Sequence, residues 1–310
     1  MEKFFLEETL DQLTLEFIGK SPILAIGAMF FSQDRQHAFW LCYKSMRIAD
    51  DKVDDVKEKN NGAVPIYLRS TIERRLRLWV KSVKDDKPTN DDQRRLIDLL
   101  VKMDLPIWPW EKLVDSMVYD LSHNGFETFP IFLNYTEGAA VSPGSIFMHL
   151  CGAKNEDGKY KKPTFDIMEA ARPLARFSYL VHIMRDFRKD QNSSLNYFPD
   201  DLMAEYGLTI PLLRKMAKEG LVTDDFRKFI KRYQKLAEGY KFESRQMLDR
   251  VGGEMQLRYL LSLEVLFSLY TQIFERTFKD GCNFTTEEMN PSPIEIKSRI
   301  VEVVSRFDKK

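Results

Sequence analysis

Two short segments place carboxylates where they could hold a metal ion. The first runs Tyr43-Lys44-Ser45-Met46-Arg47-Ile48-Ala49-Asp50-Asp51-Lys52-Val53-Asp54-Asp55. Asp50 and Asp54 are four residues apart, so on a helix they stack on one face, and Tyr43 and Arg47 continue that stripe upstream. Like charges stacked this way repel and destabilise a bare helix. A divalent cation relieves the repulsion, and Mg²⁺ suits it because it commonly takes one or two carboxylates plus phosphate oxygens and water. Taken alone, the cluster fits a solvated charge run near a helix end equally well, since Lys52, Lys57 and Lys59 lie close by.

The second segment runs Tyr179-Leu180-Val181-His182-Ile183-Met184-Arg185-Asp186-Phe187-Arg188-Lys189-Asp190. Asp186 and Asp190 repeat the spacing of four, with His182 one turn before them and Tyr179 nearly another. Their neighbours, from Phe177 to Phe187, are mostly apolar. A helix this apolar is expected to be buried, so its acidic face must meet a partner. The plainer readings are an ion pair of Asp186 with Arg185 or Arg188, and a hydrogen-bonded core histidine at His182. Two acidic stripes facing across a cavity would hold several cations, and through them a diphosphate. Arg47 and Arg185 would then take the remaining phosphate oxygens.

The elements that must position these residues read as helix after helix. No run of Val, Ile and Thr alternates with polar residues over strand length, and Asp157-Gly158 sits in a polar linker rather than between such runs. Helices are expected over residues 2–19, from Ser32 as N-cap to about 55, and over 63–83, 91–103 and 110–122. A stretch from 126 to 152 is interrupted by Pro130 and Pro143. Further helices are expected over 165–191, bent at Pro173, then a short one opened by residues 198–201, then 211–219, 224–250, 253–279 and 291–307. Residues 57–61, 83–92 and 154–163 read as surface loops. There is no low-complexity linker and no fixed-period repeat, so residues 1–310 are expected to form one all-α domain.

The 310 residues are 44% hydrophobic, enough for a substantial core. Lys plus Arg and Asp plus Glu both number 47, and this balance argues against a nucleic-acid partner. Cys42, Cys151 and Cys282 lack paired spacing, which suits core filling in a reduced, cytoplasmic setting. The N-terminal residues carry no secretory pattern. The most apolar early run, residues 22–31, is about half the ~20 residues a membrane span needs. A soluble protein is expected, in peripheral contact with a membrane if its substrate is lipid-like.

The pattern Tyr43-x-x-x-Arg47-x-x-Asp50-Asp51-x-x-Asp54 resembles the first Asp-rich motif of the squalene and phytoene synthases, and Arg185-Asp186-x-x-x-Asp190 resembles their second. The segment Leu195-Asn196-Tyr197-Phe198-Pro199-Asp200-Asp201-Leu202 is similar to the aromatic segment that follows the second motif. Residues 135–144 are in register with the family's Tyr…Val-Ala-Gly…Gly helix. The resemblance spans roughly residues 21–207.

This resemblance implies an isoprenoid-synthase fold around a central cavity. It implies Mg²⁺-dependent, head-to-head coupling of two prenyl diphosphates, farnesyl or geranylgeranyl, through a cyclopropyl intermediate to a squalene-, dehydrosqualene- or phytoene-type product. It assigns Asp50, Asp54, Asp186 and Asp190 to metal. Tyr43, Arg47, His182 and Arg185 fall at catalytic positions, and Ser21, Asp51, Tyr135 and Tyr179 at substrate-binding ones. The chain differs from the family at His182, where Asn is usual, and at Tyr179, where Gln is common. Ala139-Ala140-Val141 replaces Val-Ala-Gly, and Leu24 and Ala28 stand where relatives carry aromatics. These differences leave open a single-substrate reading on the same fold, a terpene cyclase or a prenyl diphosphate phosphatase. NADPH is not indicated by any Gly-rich fingerprint, and oligomeric state is not legible.

Overall fold

The computed structural model describes residues 3–60 and 62–307, with side chains described from Leu6 onward. The helices in chain order are α1 (Lys3–Gln12), α2 (Leu15–Lys20), α3 (Ile23–Ala28), α4 (Gln33–Lys59), α5 (Ile66–Lys84), α6 (Asp91–Lys102), α7 (Trp108–Ser122), α8 (Phe129–Thr136), α9 (Ser142–Gly152), α10 (Ile167–Arg185), α11 (Phe187–Asn192), α12 (Asp200–Ala204), α13 (Ile210–Glu219), α14 (Asp224–Val251), α15 (Leu257–Arg276), α16 (Thr286–Met289) and α17 (Pro293–Phe307). The all-α expectation holds. Among the described residues, no helix is long and apolar enough to cross a membrane.

Several expected boundaries shift for local reasons. The helix expected over 2–19 is two helices, because the Thr14 side chain accepts from the Phe17 amide and starts α2 afresh; Glu2 lies outside the described residues. Ser32 does precede α4, but its side chain makes no capping bond. The long helix expected over 165–191 divides at Asp186, whose φ of −92° and ψ of 8° leave the helical range. The last long helix starts later than expected, at Leu257, and α16 was not foreseen; a Thr285–Glu288 capping box builds it.

Two expectations fail outright. Asp157-Gly158 is a hairpin turn: Lys154–Glu156 (β1) pairs antiparallel with Lys159–Lys161 (β2). Both turn residues have positive φ, 51° and 84°, the twist that a two-residue hairpin demands. Lys57 is not in a surface loop. It belongs to α4 and is buried among core residues; Asn61, the end of that expected loop, lies outside the described residues.

Pro130 and Pro143 sit in the first turns of α8 and α9, where proline costs no hydrogen bond. Between these helices Glu137–Val141 forms a single π-helical turn. Gly138 permits it: a Cβ there would fall 2.1 Å from the Lys112 carbonyl oxygen of α7. The turn widens the backbone just where Ala139 and Ala140 face the interior cavity.

Helix α10 lies centrally, packed against α9, α14 and α15. A small second core joins α1, α2 and α3 to α15 and α17 through Leu6, Ile18, Ile26, Leu261, Val265 and Ile300. Helix α15 therefore serves two cores, turning Leu263 and Leu266 the other way, toward the cavity. The three cysteines are buried and unpaired, and burial pushes the Cys42 and Cys151 thiols up, as expected of core filling.

Candidate active site

Helix α4 delivers the first carboxylate set. Its apolar stripe, Cys42, Met46, Ala49 and Val53, is buried, so the adjacent stripe of Tyr43, Arg47, Asp50 and Asp54 is turned to the cavity side. The Arg47 guanidinium holds Asp50 at 2.5 Å and also pairs with Asp51. Burial raises the Asp50 carboxyl while Arg47 opposes the shift. Among the described residues Asp54 has no such partner. Burial pushes it up to about 7, and the Asp50 and Asp120 charges add to the effect against Lys57 and Arg47.

Helices α10 and α11 deliver the second set. The Arg185 Nε and Nη2 donate to Asp186 Oδ1 and Oδ2 at 2.7 and 2.8 Å, a bidentate pair. His182 Nε2 lies 3.0 Å from Asp186 Oδ2 and also contacts Arg185. The Asp186 carboxyl is held well below the usual carboxylate range: burial alone would raise it, but the bonds from Arg185 and His182 win. His182 is shifted down, chiefly by burial, because the solvent it meets is that of the cavity it lines. Asp190, like Asp54, is pushed up to about 7, first by burial and then by the Asp186 charge. The Asp54 charge raises it further, so the two stripes face one another from α4 and α11.

A cavity of about 400 Å³ lies between them, within the range of small-molecule sites. Tyr43, Arg47, Asp50, Tyr179, His182 and Arg185 line it, while Leu24, Leu113, Phe147, Met148, Leu174 and Leu266 form its apolar part. Asp51, Asp54, Asp186 and Asp190 lie outside the wall but belong to the charge cluster around Arg47, Asp50 and Arg185. Ser21 is not in the wall; it ends α2, and the wall begins at the next residue, Pro22. Tyr135 sits behind the wall, buried. Among the described residues, no three Asp, Glu, His or Cys side chains are gathered into a ready-made metal cage.

Sequence reasoning missed Lys57 and Asp120, both buried and joined at 2.8 Å. Asp120 also accepts from the Tyr135 hydroxyl at 2.7 Å. A signal did exist. Lys57 follows Ala49 and Val53 on the buried stripe of α4, and Asp120 follows Leu113, Ser116 and Met117 on that of α7. A charged residue on an apolar stripe must find an opposite partner.

The squalene/phytoene synthase family model matches residues 20–292. The chain is 26% identical over 264 residues to a chloroplastic phytoene synthase 1 of Zea mays, covering 84% of this chain and 59% of that one. It is 24% identical over 286 residues to a chloroplastic phytoene synthase of an Oncidium hybrid cultivar, covering 91% and 64%. It thus spans less than two thirds of the length of these two relatives. Among solved structures, a dehydrosqualene synthase in complex with ligand superposes with a TM-score of 0.73 at 16% identity, covering 98% of both chains. A squalene synthase from Alicyclobacillus acidocaldarius gives 0.63 at 14% identity, covering 97% and 94%. At these identities the structural likeness speaks for the fold.

Proposed function

Because the chain belongs to the squalene/phytoene synthase family, we propose that it is a Mg²⁺-dependent prenyltransferase joining two prenyl diphosphates head to head. The observation that carries this reading is one cavity with two unlike ends. An apolar chamber of leucines, Phe147 and Met148 meets a rim where Arg47 and Arg185 stand between two facing carboxylate sets.

The donor set fits Mg²⁺. Its ligands are all carboxylate oxygens, and Asp54 and Asp190 are repelled by neighbouring carboxylates more than they are neutralised by cations. With no protein cage, the remaining ligands would come from phosphate oxygens and water, as Mg²⁺ prefers. Asp54 and Asp190, with Asp50 and Asp186, would hold the metal. When bound, it would supply Lewis-acid stabilisation of the departing diphosphate.

The chain's own residues supply the rest. Arg47 and Arg185 present guanidinium forks to phosphate oxygens, at the cost of loosening their present pairs with Asp50 and Asp186. The apolar chamber holds the prenyl chains and excludes water from the allylic cation left when the C–O bond breaks toward diphosphate. The double bond of the second substrate then attacks that cation, and loss of a proton closes the three-membered ring. His182, shifted down from the ordinary imidazole value, faces this space and can orient a group or accept a proton there. We read residues 1–310 as one catalytic domain. A product of this kind partitions into lipid, so its release would bring the protein to a membrane surface.

The test is incubation of the purified protein with farnesyl or geranylgeranyl diphosphate and Mg²⁺, with and without NADPH. Products are identified by mass and diphosphate release is measured. Release with a C30 or C40 cyclopropyl alcohol diphosphate or hydrocarbon supports the proposal. Absence of diphosphate release from every prenyl substrate sinks it.

A further inference from the structure

A chain of contacts, polar as far as Tyr135 and aromatic beyond it, runs from the end of α4 to the cavity wall. Lys57 Nζ donates to Asp120 Oδ1 at 2.8 Å and to the His123 carbonyl at 3.3 Å. The other carboxylate oxygen, Asp120 Oδ2, takes the Tyr135 hydroxyl proton at 2.7 Å. The Tyr135 ring in turn packs beside the Tyr179 ring, their centroids 6.5 Å apart. Tyr179 ends the chain, and of these four residues it alone lines the cavity.

Its ring is held by aromatic neighbours. It stacks on Phe132 at 5.9 Å and meets Tyr135 and Tyr197 at 6.5 Å each. Its electrostatic surroundings are those a cation prefers. The leading charges acting on Tyr179 are the carboxylates Asp120, Asp50 and Asp190. The other cavity-lining tyrosines differ: Tyr43 feels Arg47 and Tyr270 feels Arg185, each ahead of any carboxylate. An aromatic face attracts a cation through its quadrupole, most strongly when the site is dry.

We infer that Tyr179 is a specificity-determining residue whose ring face holds positive charge developing in the cavity, and that Lys57, Asp120 and Tyr135 are its positioning residues. The inference deepens the reading of the preceding subsection and rests on it. Lys57 links this aromatic wall to the same helix that carries Asp50 and Asp54, so α4 would set both ends of the site.

The test uses a prenyl analogue with a tertiary ammonium near the reacting end and its neutral carbon isostere. Each is titrated calorimetrically into the full chain with Mg²⁺ and inorganic diphosphate. The readout is the ratio of the two Kd values, which needs no turnover. The wild type should favour the ammonium by about tenfold or more, the scale of a desolvated cation–π contact. Tyr179→Leu should abolish the preference and Tyr179→Phe should lower it partway, with folding checked by circular dichroism. An unchanged ratio in folded Tyr179→Leu overturns the inference. Folded Lys57→Met should lower the ratio, and Lys57→Arg should restore it; an unchanged ratio in Lys57→Met removes the positioning role. Diphosphate release by the wild type is measured separately. Its absence would defeat the proposed reaction, whereas the ammonium ratio judges Tyr179.

Discussion

Asp190 on α11 senses the charge of Asp54 on α4, and each of the two is pushed up to about 7. An acid raised in the folded state binds more protons there than in the unfolded chain. Its stabilising contribution is therefore full below the ordinary carboxylate value and lost as pH rises through about 7. Metal-free protein should lose thermal stability between about pH 4 and 7 through these two groups. Asp186, held low, titrates below that window and does not offset the loss. Added Mg²⁺ should raise the melting temperature at pH 7.5 and much less at pH 5, since it competes with protons for the same oxygens. A Mg²⁺ effect independent of pH would count against metal at these residues.

Asp50→Asn and Asp186→Asn should each reduce diphosphate release by about a hundredfold or more, the scale seen when one group aimed at transition-state charge is removed. Their stabilities should part company. Asp50 is a carboxyl whose charge burial disfavours, and neutralising it should cost little. Asp186 accepts both Arg185 bonds, so its loss should cost about 1–3 kcal/mol. Urea unfolding alongside a diphosphate-release assay separates the two effects, and unchanged turnover in either variant refutes the assignment.

Lys57→Met should destabilise the fold by about 3–5 kcal/mol, because it leaves Asp120 buried with only the Tyr135 hydroxyl. Lys57→Met combined with Asp120→Asn should recover part of that loss. A double-mutant cycle by urea denaturation reads the coupling directly. Strictly additive losses would mean that the two side chains do not depend on one another.

His182→Asn should change the ratio of coupled product to alcohol or elimination product more than it changes diphosphate release. The imidazole is shifted toward its neutral form, faces the cavity and is anchored to Asp186 at 3.0 Å. Asn can keep a polar contact there but cannot act as a base. If total activity falls while product proportions stay fixed, His182 serves only as a buried hydrogen-bonding group.

Gly138→Ala should cost about 3 kcal/mol, at the upper end of overpacking effects. The added methyl group would collide with the Lys112 carbonyl of α7, which is backbone, as well as with the Ser116 hydroxyl. Thermal melting checks it; a melting temperature within a degree or two of wild type would mean that α8 and α7 can separate freely.

The amino-acid order by itself determined the helical class, most helix positions and both carboxylate stripes, because each is a matter of spacing along one helix. Asp50 and Asp54 share a face of α4 whatever surrounds them, and Asp190 keeps its helical bond to Asp186 even though α10 gives way to α11 there. The order also showed polar residues, Asp186 and His182, on an otherwise apolar segment and so announced that they must have partners. The Asp157-Gly158 turn was readable in principle, but strands of three residues are too short to show alternation.

Only the tertiary structure decided what those residues meet. It showed that Arg47 and Arg185 are now occupied by the carboxylates beside them, and that Asp54 and Asp190 are left under-neutralised. It brought Lys57 to Asp120, residues 63 positions apart, and through Tyr135 of α8 to a cavity wall on α10. Spacing governs neighbours within a turn or two of one helix. Burial, the sign of the surrounding charge and the direction of a pKa shift depend on several helices at once, and they exist only after α4, α7 and α10 have packed.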